Sequence, residues 1–327
     1  ITSPPYPMVS MWDDMFINQN KKVNKFMETG NSKDAFEEMH KKLDKIWQET
    51  YRVLGEGGIA CINIGDATRT IKKDFQLFNS HSRIINFCLS LGFVTLPSII
   101  WRKQTNSPNK FMGSGMLPVG AYVTLEHEHI IILRKGQRKI FDDEEHKKVR
   151  RESAFFWEER NKWFSDMWID VKGTKQSLVD NDVRNRSAAY PFELAYRLIN
   201  MFSIKGDTVL DPFLGTGTTT IASLSSERNS IGFEIEEDLR SIIDRNILEC
   251  SEFCNKFIDL RLKNHDEFIK QRKENGKEIK YHVKYHDLAC MTKQERDIKI
   301  RKVDTIKSED SRFKVTYNDN FQSKLKL

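Results

Sequence analysis

The segment DTVLDPFLGTGTTTIASL (residues 207–224) constrains the fold of this chain more than any other stretch. An apolar run ends at Asp211, a turn with Gly215 and Gly217 follows, and a helical pattern begins after the second glycine. Glycines permit positive φ angles and close ligand approach, and the following helix offers unpaired N–H groups in its first turn. In doubly wound α/β sheets, ligands bind at such turns after the carboxyl end of a strand. The segment therefore predicts a strand, a ligand-binding turn and a helix.

The rest of the first 250 residues shows the same alternation of strands and helices. Helical spacing of apolar residues predicts helices over 34–54, 81–91, 190–202 and 236–250. Apolar or alternating runs predict extended segments over 59–65, 93–102, 121–135 and 230–235. This order predicts an α/β fold with a mostly parallel twisted sheet and helices on both faces.

The glycine turn departs from two common phosphate-binding loops. A P-loop has a lysine after its glycines, and the dinucleotide fingerprint has a third glycine where Thr220 stands. Glu234 follows the next predicted strand, nineteen residues after Gly215, and a carboxylate there can accept hydrogen bonds from ribose hydroxyls. The pocket is therefore predicted to hold a nucleoside without a pyrophosphate, and S-adenosylmethionine fits that description.

A second unusual segment, TSPPY (Thr2–Tyr6), stands near the start of the chain. Proline cannot donate to a strand ladder, so the two prolines end any strand that Thr2 begins. The result is a stiff turn with available carbonyl oxygens, which is a poor core element and a good site element.

Composition limits the class of protein and its partners. No run of eighteen apolar residues exists, so we expect no membrane span. Five scattered cysteines do not form a disulfide framework and favour a reducing, cytoplasmic setting. Residues 255–327 hold 19 Lys and Arg against 12 Asp and Glu, a net charge of +7 within a total of +6. That basic tail suits a polyanionic partner or, equally, a solvated helical face.

TSPPY and DPFLGTGTT together resemble the motifs of the DNA amino-methyltransferases, which methylate an exocyclic nitrogen of a base. The proline motif precedes the glycine motif by some 209 residues, an order that resembles the permuted β class. RNRSAAYPFEL (184–194) and EHEHIIILRK (126–135) are similar to two further segments of that class. The resemblance implies a Rossmann-like S-adenosylmethionine-dependent methyltransferase fold and a double-stranded DNA substrate. It also implies, as a candidate partner, a restriction endonuclease that shares the recognition site.

The resemblance also implies a role for each residue of the proline turn. The Ser3 hydroxyl and the Pro4 carbonyl would accept hydrogen bonds from the target amino group, with Pro5 holding the turn rigid. Tyr6 would stack on a base extruded from the duplex. Serine at this first position is typical of N4-cytosine enzymes, whereas N6-adenine enzymes usually carry Asp. We therefore expect N4-cytosine methylation; N6-adenine methylation, an RNA or protein substrate, and a non-catalytic nucleic-acid-binding module stay open as alternatives.

For the cofactor, the resemblance implies a set of binding residues around the glycine turn. They are Asp211, Pro212, Phe213, Gly215, Gly217, Thr218, Thr219, Glu234 and Ile235, with Ser187, Ala188 and Pro191 from the upstream segment. Asp211 would lie near the methionine ammonium, Thr218 and Thr219 near its carboxylate, and Glu234 at the ribose.

The chain is accordingly divided into four segments. Residues 1–135 form the catalytic half, 136–185 a candidate target-recognition insert, 186–254 the cofactor-binding half, and 255–327 a basic, helical C-terminal extension. The insert interleaves a basic run, 147–151, with the aromatic residues 155–157, which either contact DNA or belong to a core.

Three further polar features have structural and functional interpretations. Asp66, at the end of a predicted strand, either reaches the site or caps a helix. His127 and His129 share a strand face without an evident third ligand, so we assign them structural roles and predict no metal site. Cys250 and Cys254 lack the usual two-residue zinc spacing.

Overall fold

The computed structural model describes residues 1–103, 112–172, 190–309 and 312–319. The chain divides into two compact units. The N-terminal unit comprises Thr2–Ile140 and Asp166–Ala188, and the C-terminal unit comprises Ile1, Phe141–Ser165 and Ala189–Leu327.

The N-terminal unit contains four described helices and eight described strands. The helices are α1 (Asp13–Gln19), α2 (Lys21–Thr29), α3 (Ser32–Val53) and α4 (Ser80–Ser90). The strands are β1 (Ile59–Ile64), β2 (Ala67–Ile71), β3 (Asp74–Phe78), β4 (Phe93–Arg102), β5 (Met112–Gly113), β6 (Ala121–Tyr122), β7 (His127–Lys135) and β8 (Met167–Trp168).

The main sheet of this unit has the order β1-β7-β4-β8. Strand β7 is antiparallel to both β1 and β4, whereas β8 is parallel to β4 and Thr2 forms a parallel bridge with Ile62. Only β7 therefore runs against the other segments of the described sheet. The α/β prediction is confirmed, but the reversal of β7 was not predicted. An antiparallel neighbour needs no helical crossover, and the described part of the connection from β4 to β7 contains a short β5–β6 hairpin instead.

Apolar periodicity explains how this unit packs. Met39, Leu43 and Trp47 lie on one face of α3 and are buried. Helix α4 contacts β4 and β7. Residues 130–133 of β7 are all buried, as expected for a central strand covered on both faces.

The C-terminal unit contains six described helices and six described strands. The helices are α5 (Glu144–Glu152), α6 (Trp157–Trp163), α7 (Phe192–Phe202), α8 (Thr218–Ser225), α9 (Arg240–Glu249) and α10 (Ser251–Glu274). The strands are β9 (Thr208–Asp211), β10 (Asn229–Gly232), β11 (Tyr281–His282), β12 (Ala289–Cys290), β13 (Lys302–Glu309) and β14 (Arg312–Asn318). Strands β9 and β10 are parallel, and the intervening α8 packs against both, so the glycine segment forms a βαβ unit as predicted.

The C-terminal extension is helical over α10, and the strands that follow this helix were not predicted from the sequence. After α10 the chain forms the short pair β11–β12 and then the antiparallel hairpin β13–β14. In β14 the half-buried Phe313, Val315 and Tyr317 alternate with exposed residues, and this period of two is the pattern of a strand.

Part of the proposed insert packs against the C-terminal extension within the C-terminal unit. Phe156 is fully buried in a cluster with Ile258 and Leu262 of α10. Arg261 donates to both carboxylate oxygens of Glu159 at 2.6 and 2.8 Å. Burial alone would lower the pKa of Arg261, but Glu159 and Tyr196 raise it above its usual value. Phe156 is therefore a core residue, which was one of the two interpretations of the insert aromatics.

Two expectations from composition concern disulfides and membrane spans. All five cysteines are buried and none forms a disulfide. In the described part of the chain, every helix is too short or too polar to cross a bilayer.

Candidate active site

The proline turn starts at the carboxyl end of a short parallel segment in the N-terminal unit. The Thr2 N–H donates to the Cys61 carbonyl at 3.0 Å, and the Asn63 N–H donates to the Thr2 carbonyl at 2.9 Å. Pairing stops there because the next two positions after Ser3 are the buried prolines Pro4 and Pro5. No described residue donates to the Pro4 carbonyl, so that oxygen stays available as an acceptor.

The Tyr6 hydroxyl connects the turn to the sheet. It donates to Glu128 Oε2 at 2.9 Å and accepts from Asn63 Nδ2 at 2.8 Å. It also lies 3.1 Å from Ser3 Oγ. A phenol has one proton, and the carboxylate can only accept, so Ser3 must be the donor in the Ser3–Tyr6 pair. The network therefore directs the Ser3 proton toward Tyr6 and leaves the Ser3 lone pairs available to accept a hydrogen bond.

Glu128 is held at the start of β7 by one group from β1 and one from the residue that follows β4. Its Oε2 also accepts from Asn63 Nδ2 at 2.7 Å, and its Oε1 accepts from Lys103 Nζ at 2.7 Å. A Cβ added to Gly65 would lie 2.9 Å from Tyr6 Cε2, so a side chain at residue 65 would displace the Tyr6 ring. Sequence reasoning missed Asn63, Lys103 and Glu128 as site residues; the signal was a polar Asn inside the apolar run IACINIG.

A second polar cluster lies beside β1 and β7. Asp66 Oδ1 accepts from the backbone N–H of His81 at 3.1 Å in the first turn of α4, which matches the helix-cap interpretation. Asp66 Oδ2 lies 2.7 Å from His81 Nδ1 and 3.9 Å from His129 Nε2. Burial lowers the pKa of His129 to about 4, so this imidazole is neutral at pH 7.

This cluster has the residue types of a metal site but not its orientation. One ligand atom from each of Asp66, His81 and His129 lies within 4.8 Å of the others. The two imidazoles are stacked, however, with centroids 3.9 Å apart and planes 18° apart. Their ring lone pairs therefore lie in nearly parallel planes and do not converge on one ion.

The glycine turn in the C-terminal unit has the backbone that the sequence predicted. Gly215 has φ +55° and Gly217 has φ +92°, and α8 begins at the following residue, Thr218. A Cβ added to Gly215 would meet nothing within 4 Å. Positive φ favours glycine here, and the space beside it is open to a ligand. Pro212 and Phe213 are half-buried at the entry to the turn.

Asp211 braces this turn from inside. Its Oδ1 accepts from the Phe213 N–H at 3.0 Å, and its Oδ2 accepts from the Tyr190 hydroxyl at 3.3 Å. The Thr219 hydroxyl donates to the same oxygen and also contacts the Tyr190 hydroxyl. Asp211 and Thr219 are both buried. The predicted cofactor residues Asp211 and Thr219 thus make internal contacts, and sequence reasoning missed Tyr190.

Glu234 links the glycine turn to the segment after β10. Its Oε2 accepts from the Gly215 N–H at 2.7 Å, and its Oε1 accepts from the N–H groups of Ile235 and Glu236 at 2.8 and 2.9 Å. A carboxylate has about four acceptor positions, so Oε2 keeps capacity for a hydroxyl donor. The Ile235 side chain beside it is 75% exposed.

These features fit the nucleoside part of S-adenosylmethionine. A fixed carboxylate, an exposed aliphatic side chain and an open glycine turn lie together in one unit. Pro191 is the N-cap of α7, and Ser187 and Ala188 lie outside the described residues.

Comparisons with known proteins agree with both motifs. A family model described as DNA methylase, of the N6/N4 methyltransferases, matches residues 1–245. The type II methyltransferase M.MthZI of Methanothermobacter thermautotrophicus is 51% identical over 301 residues, covering 92% of this chain and 83% of the relative. The type II methyltransferase M.MjaI of Methanocaldococcus jannaschii is 50% identical over 258 residues, covering 76% and 84%.

One solved structure is similar in both sequence and fold. It is TTHA0409 of Thermus thermophilus, a candidate DNA modification methylase complexed with S-adenosyl-L-methionine. The TM-score is 0.57 at 29% identity, covering 76% of this chain and 83% of that protein. On the family match and the two relatives of about half identity, the chain belongs to the N6/N4 family of DNA methylases.

Proposed function

We propose that this DNA methyltransferase transfers the methyl group of S-adenosylmethionine to the exocyclic N4 of cytosine in duplex DNA. The observation that carries the proposal is the hydrogen-bonded state of Ser3. Its proton is directed to Tyr6, so its oxygen is presented as an acceptor at the first position of the proline turn. Serine at this position is typical of N4-cytosine enzymes of the family.

The chemistry needs acceptors because an exocyclic amino nitrogen is a poor nucleophile, with its lone pair delocalised into the ring. Acceptors at the two amino hydrogens favour a tetrahedral nitrogen and stabilise the positive charge that develops during attack. Ser3 Oγ and the Pro4 carbonyl are proposed as those two acceptors. The Tyr6 ring is proposed to stack on the extruded base, and its hydroxyl holds Ser3 in the accepting state.

S-adenosylmethionine supplies the electrophilic methyl group when bound. Glu234 is proposed to hold the ribose and Ile235 the adenine, with Gly215 and Gly217 allowing close backbone approach. Asp211 and Thr219 are proposed to fix the turn that faces the methionine part. Phe213 and Thr218 are proposed to line the same end of the site.

Label transfer to defined duplexes tests this function. The protein is incubated with methyl-labelled S-adenosylmethionine and duplex DNA, and the product is hydrolysed to nucleosides. We expect the label in N4-methylcytosine. Label in N6-methyladenine would overturn the cytosine assignment and keep the family, whereas label taken up by RNA or protein, and not by DNA, would overturn the DNA substrate.

Ser3→Ala is the matched test of the residue that carries the proposal. We expect slower transfer with unchanged cofactor binding, because Ser3 is not one of the proposed cofactor residues. Ser10→Ala, at an exposed serine in the short 3-10 turn Ser10–Trp12, is the control. Equal transfer rates for the two variants would contradict the role of Ser3.

DNA recognition is proposed for the exposed surface of α5 in the candidate target-recognition insert. Helix α5 presents Lys148, Arg150 and Arg151 on its exposed side. A cognate restriction endonuclease with the same site is the proposed biological partner. DNA binding through Lys148, Arg150 and Arg151 should weaken with added salt, since lysines and arginines displace condensed counterions.

A further inference from the structure

An apolar loop stands out from the N-terminal unit. Residues 114–120, between β5 and β6, are here named the apolar loop. Three large side chains in it face solvent: Met116 is 86% exposed, Leu117 is 68% exposed and Val119 is 99% exposed. Clustered exposed apolar side chains mark interaction sites more often than isolated ones do.

The apolar loop has a defined frame. The Ser114 N–H donates to the Gly120 carbonyl at 2.9 Å, and the Leu117 N–H donates to the Ser114 carbonyl at 3.3 Å. Gly113 has φ +71°, and a Cβ there would clash with the Gly120 carbonyl oxygen, so only glycine fits. At the base of the loop, Tyr122 stacks on Phe75 with centroids 4.3 Å apart. Local contacts therefore hold the three apolar side chains outward.

The apolar loop belongs to the end of the sheet that carries the proline turn. It lies in the connection from β4 to β7, where Arg102 pairs with His127. The Lys103 N–H donates to the Glu126 carbonyl at 2.8 Å at the base of this connection. The next residue of β7, Glu128, accepts from the Tyr6 hydroxyl. The loop and the proposed base-binding residues are thus anchored at the same end of the sheet.

We propose that Met116, Leu117 and Val119 insert into duplex DNA at the position vacated by the extruded target base. This inference rests on the proposed function. Extruding a base removes its stacking with both neighbours, and apolar side chains are known to insert between base steps and to replace such contacts. The three side chains carry no charge and so contribute nothing to phosphate binding. Their chemistry fits the faces of neighbouring bases.

A fluorescent duplex tests the insertion directly. 2-Aminopurine, whose fluorescence rises when it unstacks, replaces the target base in a duplex that the wild-type protein methylates, and a thymine is placed opposite so that the probe stays paired. We expect the fluorescence rise per bound complex to be at least tenfold smaller for the double variant Met116→Ser, Leu117→Ser than for the wild-type protein. Transfer should fall by a similar factor, with unchanged S-adenosylmethionine binding and an unchanged salt dependence of DNA binding.

The control is Ile140→Ser, a similar change at a 70% exposed apolar side chain of the same unit outside the apolar loop. A mismatched target base is easier to extrude, so the double variant should recover part of its activity on a mismatched duplex. A fluorescence rise of the double variant equal to that of Ile140→Ser would overturn the insertion. Loss of self-association in the double variant together with a full fluorescence rise would also overturn it, since the loop would then contact a second copy. Absence of methyl transfer to DNA by the wild-type protein would instead refute the proposed function.

Discussion

Removing the Tyr6 hydroxyl tests whether it controls the state of Ser3. In Tyr6→Phe the aromatic ring is kept, but Ser3 loses the acceptor that lies 3.1 Å from its oxygen. The Ser3 proton can then point toward the target amino group, and the proposed hydrogen bond to the developing positive charge is lost. A hydrogen bond to a charged group contributes about 1.5–3 kcal/mol. At about 1.4 kcal/mol per tenfold in rate, transfer should slow by roughly 10- to 150-fold.

The assay is single-turnover methyl transfer at saturating cofactor and DNA, measured in a double-mutant cycle with Ser3→Ala. If the Tyr6 hydroxyl acts through Ser3, Tyr6→Phe should slow the Ser3→Ala enzyme by no more than about threefold, because the two effects share one interaction. Tyr281→Phe is the control, since the Tyr281 hydroxyl has no hydrogen-bond partner among the described residues. Independent, multiplicative effects of the two substitutions would refute the reasoning, as would a Tyr6→Phe enzyme with the wild-type rate.

Three further predictions address stability and cofactor binding. His40 is buried, neither ring nitrogen has a described partner, and burial lowers its pKa to about 3 from an unfolded value of 6.5. The unfolded state therefore binds a proton below pH 6.5 that the folded state does not bind. His40→Leu should remove about 2 kcal/mol of the stability that is lost between pH 7 and pH 5 in urea unfolding. An equal loss of stability over this pH range in the variant and the wild type would contradict the prediction. Gly215→Ala should weaken S-adenosylmethionine binding in calorimetry at least tenfold, whereas Gly206→Ala, at a similar φ of +79° with equally open space, should only destabilise the fold; equal affinities would exclude Gly215 from the site. Arg261→Met should destabilise the fold by about 3–5 kcal/mol because it leaves Glu159 buried without its partner, and in urea unfolding the double variant Arg261→Met, Glu159→Gln should recover part of that loss.

Local patterns in the sequence were sufficient for the individual elements. The predicted helix over 34–54 corresponds to α3, Ser32–Val53, and the predicted strand over 59–65 to β1, Ile59–Ile64. The glycine turn was predicted with its positive φ angles, because that conformation is written in the residue types. The strand predicted over 121–135 begins only at His127, since residues 121 and 122 pair with β5 in a separate hairpin.

Contacts between distant segments could not be predicted in the same way. The Tyr6 hydroxyl meets Asn63 and Glu128, which are 57 and 122 residues away, and nothing local in the sequence indicates that pairing. The reversed direction of β7 has the same origin, because strand order is set by long-range packing. The β13–β14 hairpin was not predicted, because its many charges hid a weak alternation of half-buried residues.

The most direct test of the central claim is a crystal structure of the protein with a non-transferable analogue of the methyl donor and a duplex that the enzyme methylates. The account predicts that a cytosine leaves the duplex and that its N4 lies about 2.7–3.2 Å from both Ser3 Oγ and the Pro4 carbonyl oxygen, with its ring on Tyr6. A target base that stays stacked, or an extruded base whose amino group contacts neither oxygen, would contradict it.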